Sequence, residues 1–151
     1  MPPKAAPAHE AVEEQHVEVI PEVQGTGTFH FPDGSVYEGD YQSFNQVVMR
    51  HGVGTFVHGP ETYSGTWVKD QMEGKGTYQF ASGASFDGEF RSNVFSGNGE
   101  YRWSDGASYV GGWTNSKMHG QGCYKDKDGV EWRGTFFNGK YDNGRAFLTL
   151  R

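Results

Sequence analysis

The histidines, the single cysteine and the paired carboxylates are the residues that could do acid, base, nucleophilic or metal chemistry. None of the six histidines shows the i, i+4 helical spacing of a zinc hydrolase. His51 and His119 each directly precede a Gly-x-Gly pair, so we interpret both as turn residues. The lone Cys123 adds no metal framework. It replaces an ordinary strand residue of the repeats described below, and we expect no catalytic thiol there.

Two other patterns resemble parts of active sites. The carboxylates Glu38 and Asp40, like Asp87 and Glu89, lie two residues apart and therefore share one face of a strand. Paired acids can exchange protons with a substrate, but these recur with the repeat, which favours a solvated face. None of the Gly-x-Gly pairs has the Gly-Lys-Ser/Thr ending of a phosphate-binding loop. We therefore predict no enzyme, no cofactor and no metal.

The strands that carry these residues can be predicted from a pattern that occurs five times in the chain. The pattern is an aromatic residue, any residue, glycine, any residue and a second aromatic residue. Successive copies start 26, 23, 23 and 23 residues apart. The copies are Tyr37-Gly39-Tyr41, Tyr63-Gly65-Trp67, Phe86-Gly88-Phe90, Tyr109-Gly111-Trp113 and Trp132-Gly134-Phe136. Alternation with period two is typical of β-strands, so each copy predicts a strand with both rings on one face.

A second pattern, Gly-x-Gly, follows each of these strands and precedes another alternating segment. The pairs are Gly25/Gly27, Gly52/Gly54, Gly74/Gly76, Gly97/Gly99 and Gly120/Gly122, with a degenerate last copy at Gly144 and Ala146. Within one unit, residues 91–97 supply the turn, and Ser104-Asp105-Gly106 is a strong signal for the next turn. The sequence therefore predicts an all-β fold, a single elongated, twisted antiparallel sheet of tandem β-hairpins with about five and a half units.

The composition excludes several other classes of protein. The chain has 23 glycines and 23 aromatic residues but only two leucines and one isoleucine, which argues against helical bundles and doubly wound α/β folds. No segment approaches the ~20 apolar residues of a membrane-spanning helix, and the first residues lack the apolar core of a signal peptide. With one cysteine, these features predict a cytoplasmic protein.

The charge distribution argues against nucleic-acid binding. Of the formal net charge of −6, residues 1–24 carry −4 and residues 25–151 carry −2. A nucleic-acid binder displaces counterions with a basic stripe, and this chain has none.

These repeats resemble those of the MORN family (membrane occupation and recognition nexus). The resemblance rests on Tyr63-Ser64-Gly65-Thr66-Trp67 with Glu73-Gly74-Lys75-Gly76-Thr77-Tyr78, and on Tyr109-Val110-Gly111-Gly112-Trp113 with His119-Gly120-Gln121-Gly122. It covers residues 25–151 and implies a MORN-repeat solenoid preceded by a flexible acidic, Pro/Ala-containing segment, residues 1–24. The segment Tyr124–Trp132 is similar to one in short MORN-only proteins, particularly small ciliary and sperm-flagellar members.

The resemblance implies a non-enzymatic scaffold in a ciliary, axonemal or other cytoskeletal assembly. An aromatic groove with little charge suits a helix or extended segment of a larger protein. Two alternatives remain: a phospholipid-binding linker between membrane and cytoskeleton, which the dispersed charge disfavours, and a targeting subunit for an enzyme. We expect partner-binding residues among the repeat aromatics, without separating core from groove: Tyr63, Trp67, Phe86, Phe90, Tyr109, Trp113, Trp132 and Phe136.

Three segments depart from the array. Residues 43–50 contain a four-residue insertion, which is either a hairpin extension packed on itself or a partner contact through Phe44, Val47, Val48 and Met49. Residues 17–23 alternate enough to add an edge strand, or else form a solvated acidic linker. The last half-unit, with Ala146, Leu148 and Leu150 on its face, is interpreted as a cap, although its edge could also pair with a second copy.

Overall fold

The computed structural model describes residue 18 and residues 20–148. Within these residues the chain forms eleven β-strands and no helix. The strands are β1 (Gln24–His30), β2 (Val36–Phe44), β3 (Val47–His58), β4 (Glu61–Val68), β5 (Gln71–Gln79), β6 (Ser85–Arg91), β7 (Val94–Arg102), β8 (Ser108–Thr114), β9 (Lys117–Lys125), β10 (Val130–Phe137) and β11 (Lys140–Leu148). The strand order across the sheet is the order along the chain, and all neighbours are antiparallel. The predicted single antiparallel sheet of tandem hairpins is confirmed.

The turns within the hairpins are shorter than the sequence predicts. Residues 91–97 were expected to form a turn, but β6 ends at Arg91 and β7 begins at Val94, so the turn is Ser92-Asn93. Both turn residues have positive φ, 47° and 70°, as a two-residue turn that matches the twist of a hairpin requires. Val94, Phe95 and Ser96 instead pair with β6, and Gly97 and Asn98 form a bulge opposite the step from Gly88 to Glu89.

Four of the five hairpin tips in the described part of the chain, all but that of β2–β3, are hydrogen-bonded to the preceding hairpin. In each, the backbone N–H of the second turn residue donates to a carbonyl in the second strand of the preceding hairpin. These bonds are Asp70 N to Arg50 O (2.9 Å), Asn93 N to Met72 O (3.1 Å), Ser116 N to Phe95 O (3.0 Å) and Gly139 N to Met118 O (2.8 Å). His51 and His119 contribute here, because their Nδ1 atoms accept from the backbone N–H of Lys69 (3.1 Å) and Asn138 (3.4 Å). The two histidines therefore hold neighbouring tips together.

A row of glycines crosses the whole sheet, one from each strand. The register pairs Gly27, Gly39, Gly54, Gly65, Gly76, Gly88, Gly99, Gly111, Gly122, Gly134 and Gly144 in succession. Rings lie directly over this row: a Cβ added at Gly99 would meet Phe86 Cζ at 2.4 Å, and one at Gly122 would meet Tyr109 Oη at 2.3 Å. The glycines are needed because a side chain would occupy the volume of the ring.

The register corrects the expected alignment of the last unit. Gly144 pairs with Gly134 and therefore occupies the position of the second glycine of a pair, not the first. The bulge of this hairpin is one residue shorter than the others, which shifts the pattern. Ala146 lies opposite Trp132, where Tyr124 lies opposite Tyr109 in the preceding unit.

The core is a layer of rings on one face of the sheet. Its buried members are Tyr37, Tyr63, Trp67, Phe86, Phe90, Tyr109, Trp113 and Phe136. Each first-strand ring is covered edge-on by the second ring of the next unit: Tyr37 by Trp67 (5.7 Å), Tyr63 by Phe90 (5.0 Å), Phe86 by Trp113 (5.3 Å) and Tyr109 by Phe136 (4.8 Å). Such contacts are favourable beyond area burial, so each unit's core depends on its neighbour.

At the N-terminal end, the segment before β1 reaches the tip of the first hairpin. Val23 N donates to Ser43 Oγ (2.7 Å), Ser43 N donates to Val23 O (2.8 Å), and Ser43 Oγ donates to Glu22 Oε2 (2.5 Å). Residues 1–17, Val19 and residues 149–151 lie outside the described part of the chain, as do the expectations of a flexible tail and of a role for Leu150. The edge strands β1 and β11 end the sheet.

Candidate partner-binding face

Seven of the eight aromatic residues proposed from the sequence as core or groove lie in the core. Tyr63, Phe86 and Tyr109 are 0–1% exposed, and Trp67, Phe90, Trp113 and Phe136 are at most 6% exposed. Trp132 is 37% exposed, because Ala146, which lies opposite it, is too small to cover the indole. In this conformation the seven buried rings present little surface to a partner, although Trp113 lines the second of the two cavities described below.

The buried tyrosines have a structural role. The hydroxyls of Tyr63 and Tyr109 donate to the carbonyls of Thr66 and Gly112, each at 2.9 Å. Burial raises the pKa of both phenols to about 12. Each therefore stays protonated and bonded to the bulge of its own strand at any pH near neutrality.

The surface offered by the aromatic face consists of half-buried rings, which belong mostly to the second strand of each unit. No helix or second sheet covers this face within the described residues. The rings are Phe29, Tyr41, Phe56, Tyr78, Phe80, Phe95, Tyr101, Trp103, Tyr124 and Tyr141. The residue pattern identified the aromatic layer, but only the register separates its buried row from its accessible row.

The insertion in the second repeat lengthens a hairpin instead of forming a loop. β2 continues to Phe44 and β3 begins at Val47, with a turn at Asn45-Gln46. Val47 and Val48 are 53% and 47% exposed, whereas Phe44 and Met49 are half-buried. The Phe44 ring contacts His51 at 5.0 Å, and the Lys69 ammonium lies 4.9 Å from the same ring. The tip is therefore partly packed on its neighbours and partly open.

The insertion also brings Arg50 to a position that is apolar in every other hairpin. Arg50 pairs with Tyr41, whereas the equivalent second ring pairs with Met72, Phe95, Met118 or Tyr141 in the later units. The sequence does carry a signal for this equivalence, because Arg50 lies two residues before Gly52, just as Met72, Phe95 and Met118 lie two residues before Gly74, Gly97 and Gly120.

The Arg50 guanidinium is fixed by rings and by an acid. It lies 4.2 Å from the Trp67 ring and 4.9 Å from the Phe56 ring. Its Nε donates to Asp70 Oδ1 at 3.0 Å and its Nη2 to the Asp70 carbonyl at 3.1 Å, while Arg50 N also donates to Asp70 Oδ1 at 2.8 Å. The cation is thus held in one orientation, with both pairing and stacking contributing.

Beside Arg50 lies the first of two cavities on the aromatic face, with a volume of about 560 Å³. We call it the first cavity. Ring contacts between Phe29 and Tyr41 (5.2 Å) and between Phe31 and Phe56 (6.1 Å) form its walls. Arg50, Asp70 and Asp33 are its charged lining residues.

The second cavity lies further along the same face and has a volume of about 570 Å³. Its lining includes Phe80, Tyr101 and Trp103, whose rings follow one another at 5.7 and 4.6 Å. Lys117 is its one charged lining residue. The two cavities therefore share aromatic walls but differ in charge.

The opposite face of the sheet is polar and carries the carboxylates considered above. Asp40 Oδ2 accepts from Val53 N (3.0 Å) and Oδ1 from the Thr26 hydroxyl (2.8 Å), and Glu89 Oε2 accepts from Asn98 N (2.6 Å). These bonds hold the bulges in place, and the bond from Val53 is the main reason that the pKa of Asp40 is lowered. Among the described residues, no group of three or more His, Cys, Asp or Glu side chains could hold a metal ion.

Comparison with known protein families gives one match, to the MORN repeat, over residues 24–36, 63–85, 86–108 and 109–131. The matched residues make up more than half of the chain, and three of the matched segments begin at the buried ring of a unit. The chain belongs to the MORN-repeat family. MORN repeats are non-enzymatic modules that bind proteins or membranes. No match was found among curated proteins.

The MORN match leaves out residues 37–62, which contain the lengthened hairpin and Arg50, as well as residues 132–151. The region that departs from the family pattern is therefore the one that forms much of the first cavity. In the described part of the chain, no helix is long and apolar enough to cross a membrane.

Proposed function

We propose that this MORN-repeat chain is a non-enzymatic scaffold whose aromatic face holds a helix or extended segment of a larger protein. The observation that carries the proposal is the row of half-buried rings from Phe29 to Tyr141, which nothing covers within the described residues. Large rings that are already ordered by a sheet bury much area at a small entropic cost. The two cavities give such a segment places for its anchoring side chains.

We place this scaffold in the cytoplasm, in a ciliary or flagellar axoneme or another cytoskeletal assembly. The support is the resemblance of the chain, including its Tyr124–Trp132 segment, to small ciliary and sperm-flagellar members of the family. The accessible rings and the open edge strands β1 and β11 are both suited to holding protein components, and pairing of two copies through such an edge is also compatible with the proposal.

Affinity capture from ciliated cells tests this proposal, with cross-linking to locate the contact. Phe80→Ala and Trp103→Ala remove rings from the second cavity, while Val110→Ala removes an exposed side chain from the opposite face and serves as the matched control. We expect the wild type and Val110→Ala to recover the same axonemal or cytoskeletal protein, and the ring variants to lose it. Recovery of no such protein, or equal recovery by all three variants, would contradict the proposal.

Membrane binding is the second candidate function. One exposed base stands at or beside each of four successive hairpin tips: Lys69, Arg91, Lys117 and Lys140. Each base near an anionic surface contributes about 1 kcal/mol, but the repeat body as a whole has a charge of −2. We therefore rank this candidate below protein binding, and co-sedimentation with anionic vesicles at physiological salt would reverse the ranking. Targeting of an enzyme would be a special case of the scaffold.

A further inference from the structure

The charged groups that line the first cavity differ in how accessible they are. The side chain of Arg50 is only 23% exposed, and its Nε and Nη2 are bonded to Asp70. The side chain of Asp70 is 45% exposed and that of Asp33 is 56% exposed. A molecule that enters the cavity therefore meets carboxylate oxygens before it meets the guanidinium.

The Asp33 carboxylate is held towards the cavity by the turn that contains it. Its Oδ1 accepts from the backbone N–H (2.9 Å) and the hydroxyl (2.6 Å) of the buried Ser35. Its Oδ2 lies 3.5 Å from Nδ1 of the exposed His58. Arg50 and Asp70 neutralise each other, so Asp33 leaves the lining with a net negative charge.

The walls of the cavity also suit a cation. Rings attract a cation that lies over their faces, and Arg50, a lining residue of the cavity, already makes this interaction with the Phe56 and Trp67 rings. A carboxylate at the same place would gain nothing from the ring faces and would be repelled by Asp33 and Asp70.

We infer that the first cavity is a subsite for a lysine or arginine side chain of the partner segment, and that it fixes the direction in which this segment lies on the sheet. The inference rests on the proposed function. The aliphatic part of the side chain packs between Phe29, Tyr41 and Phe56, and its charged end reaches Asp33. The second cavity, with Lys117, does not favour a cation and accepts an apolar or acidic part of the same segment.

The spacing of the two subsites follows from the sheet. Asp33 lies in the turn that leads into β2 and Lys117 begins β9, so seven strand spacings of about 4.8 Å, or roughly 34 Å across the sheet, separate them. About 22 residues of α-helix span this distance. The partner segment is therefore expected to be basic near one end and acidic or apolar about six turns away.

A titration with a small cation tests the subsite without a partner. The probe is n-butylammonium, with butyrate as the probe of matched size and opposite charge, and binding is followed by NMR through the ring resonances of Phe29, Tyr41 and Phe56. We expect n-butylammonium to shift these resonances more than those of Tyr101 and Trp103, and butyrate to leave them unchanged.

Asp33→Asn is expected to weaken n-butylammonium binding about two- to fivefold, as loss of one exposed ion pair does. Asp105→Asn is the matched control, because Asp105 accepts from Ala107 N (2.9 Å) in the equivalent turn of a later unit and does not line either cavity. Equal shifts with butyrate, equal shifts at the second cavity, no shift with either probe, or no effect of Asp33→Asn would each overturn the inference. None of these outcomes bears on whether the aromatic face binds a protein, which the capture experiment decides.

Discussion

The first complete hairpin, β2–β3, and the third, β6–β7, use the same strand pattern but fill the space between their rings differently. In β6–β7, Phe95 stacks on Phe86 with centroids 3.9 Å apart, and Phe90 is covered by Tyr63 of the preceding unit. In β2–β3, Arg50 takes the place of Phe95. Tyr41, which takes the place of Phe90, has a single aromatic contact among the described residues, with Phe29 of β1.

This difference shows how a repeat array generates a specific site. The later units are completed by rings from both neighbours, and the second cavity among them has Lys117 as its one charged lining residue. Within the described residues, the first hairpin is preceded only by the strand β1 and carries a charged residue at a core position, and its cavity is lined by three charged residues. The predictions below test whether the two hairpins differ as this comparison requires.

The largest expected effect compares the second ring of the first strand in the two hairpins. Phe90→Ala removes a buried ring that contacts Tyr63, Phe86 and Phe95, and it should lower the free energy of unfolding by about 3–5 kcal/mol. Tyr41→Ala removes a half-buried ring and should cost about 1–2 kcal/mol. Denaturant titration followed by tryptophan fluorescence measures both values. Equal losses would show that the first hairpin is as tightly packed as the third.

The next effect concerns the glycine row beneath the ring of the third hairpin. Gly99→Ala places a Cβ 2.4 Å from Phe86 Cζ, so the ring must move, and overpacking of this kind costs about 1–3 kcal/mol. Asn98→Ala, one residue earlier and exposed, is the control. If Gly99→Ala unfolds at the same denaturant concentration as the wild type, the ring does not lie over the row as described.

A smaller effect is expected when the first hairpin is made like the others. Arg50→Met installs the residue found at positions 72 and 118. It removes one ion pair and two cation–ring contacts and restores an apolar contact, so the change in stability should stay within about 1 kcal/mol. Binding of n-butylammonium should become tighter, because Asp70 loses its internal partner. Unchanged or weaker binding would mean that the Asp70 carboxylate does not contribute to the subsite.

The smallest effect is a pH dependence confined to the N-terminal end. Hydrogen bonds from Val53 N and the Thr26 hydroxyl lower the pKa of Asp40 in the folded state. Folding therefore gains stability above the unfolded pKa of about 3.9 and loses it as the pH falls through and below that value. The third hairpin has Glu89 at the equivalent place and the fourth has Gly112, so the fourth should lack this dependence.

Amide exchange at pH 7 and pH 3.5 measures this difference. Opening of β2–β3 should become more frequent at low pH relative to β8–β9, and Asp40→Asn should remove part of the change. Glu38→Gln on the same strand is the control. A uniform acid effect along the sheet would place its origin elsewhere.

Much of the fold could be predicted because the repeated sequence pattern determines how neighbouring strands align. Each copy of the ring and glycine pattern fixes a strand, its buried face and its length, and the 23-residue period fixes the order of the hairpins. The turn at residues 91–97 was predicted too long because a bulge at Gly97 and a two-residue turn have the same glycine-rich, polar composition. The last unit was misaligned at Gly144 because its bulge is one residue shorter than the others. This deletion does not change which residues of β11 alternate between the two faces, so the sequence pattern did not reveal it.

The site could be predicted less well than the fold. The aromatic layer was recognised, but which rings are buried depends on the overlap between neighbouring units, and that overlap lies 23 or more residues away in sequence. The distance of Arg50 from Gly52 aligns it with the apolar residues 72, 95 and 118, a signal that was not used. No local pattern indicates that Asp70, twenty residues later, binds its guanidinium. Asp33, Arg50 and Asp70 lie far apart in the sequence, and only the pairing of the strands places these three charged residues at one cavity.

The unbroken row of glycines also bears on how such a chain can change in length. Because every strand from β1 to β11 presents the same residue to both of its neighbours, the hydrogen-bonded register is identical at each junction between units. A 23-residue unit could therefore be duplicated or lost between Tyr63 and Lys125 without shifting any other ring from its place. Such a change would alter only the distance between the two cavities, in steps of two strands. It would therefore alter the length of the partner segment that can occupy both cavities.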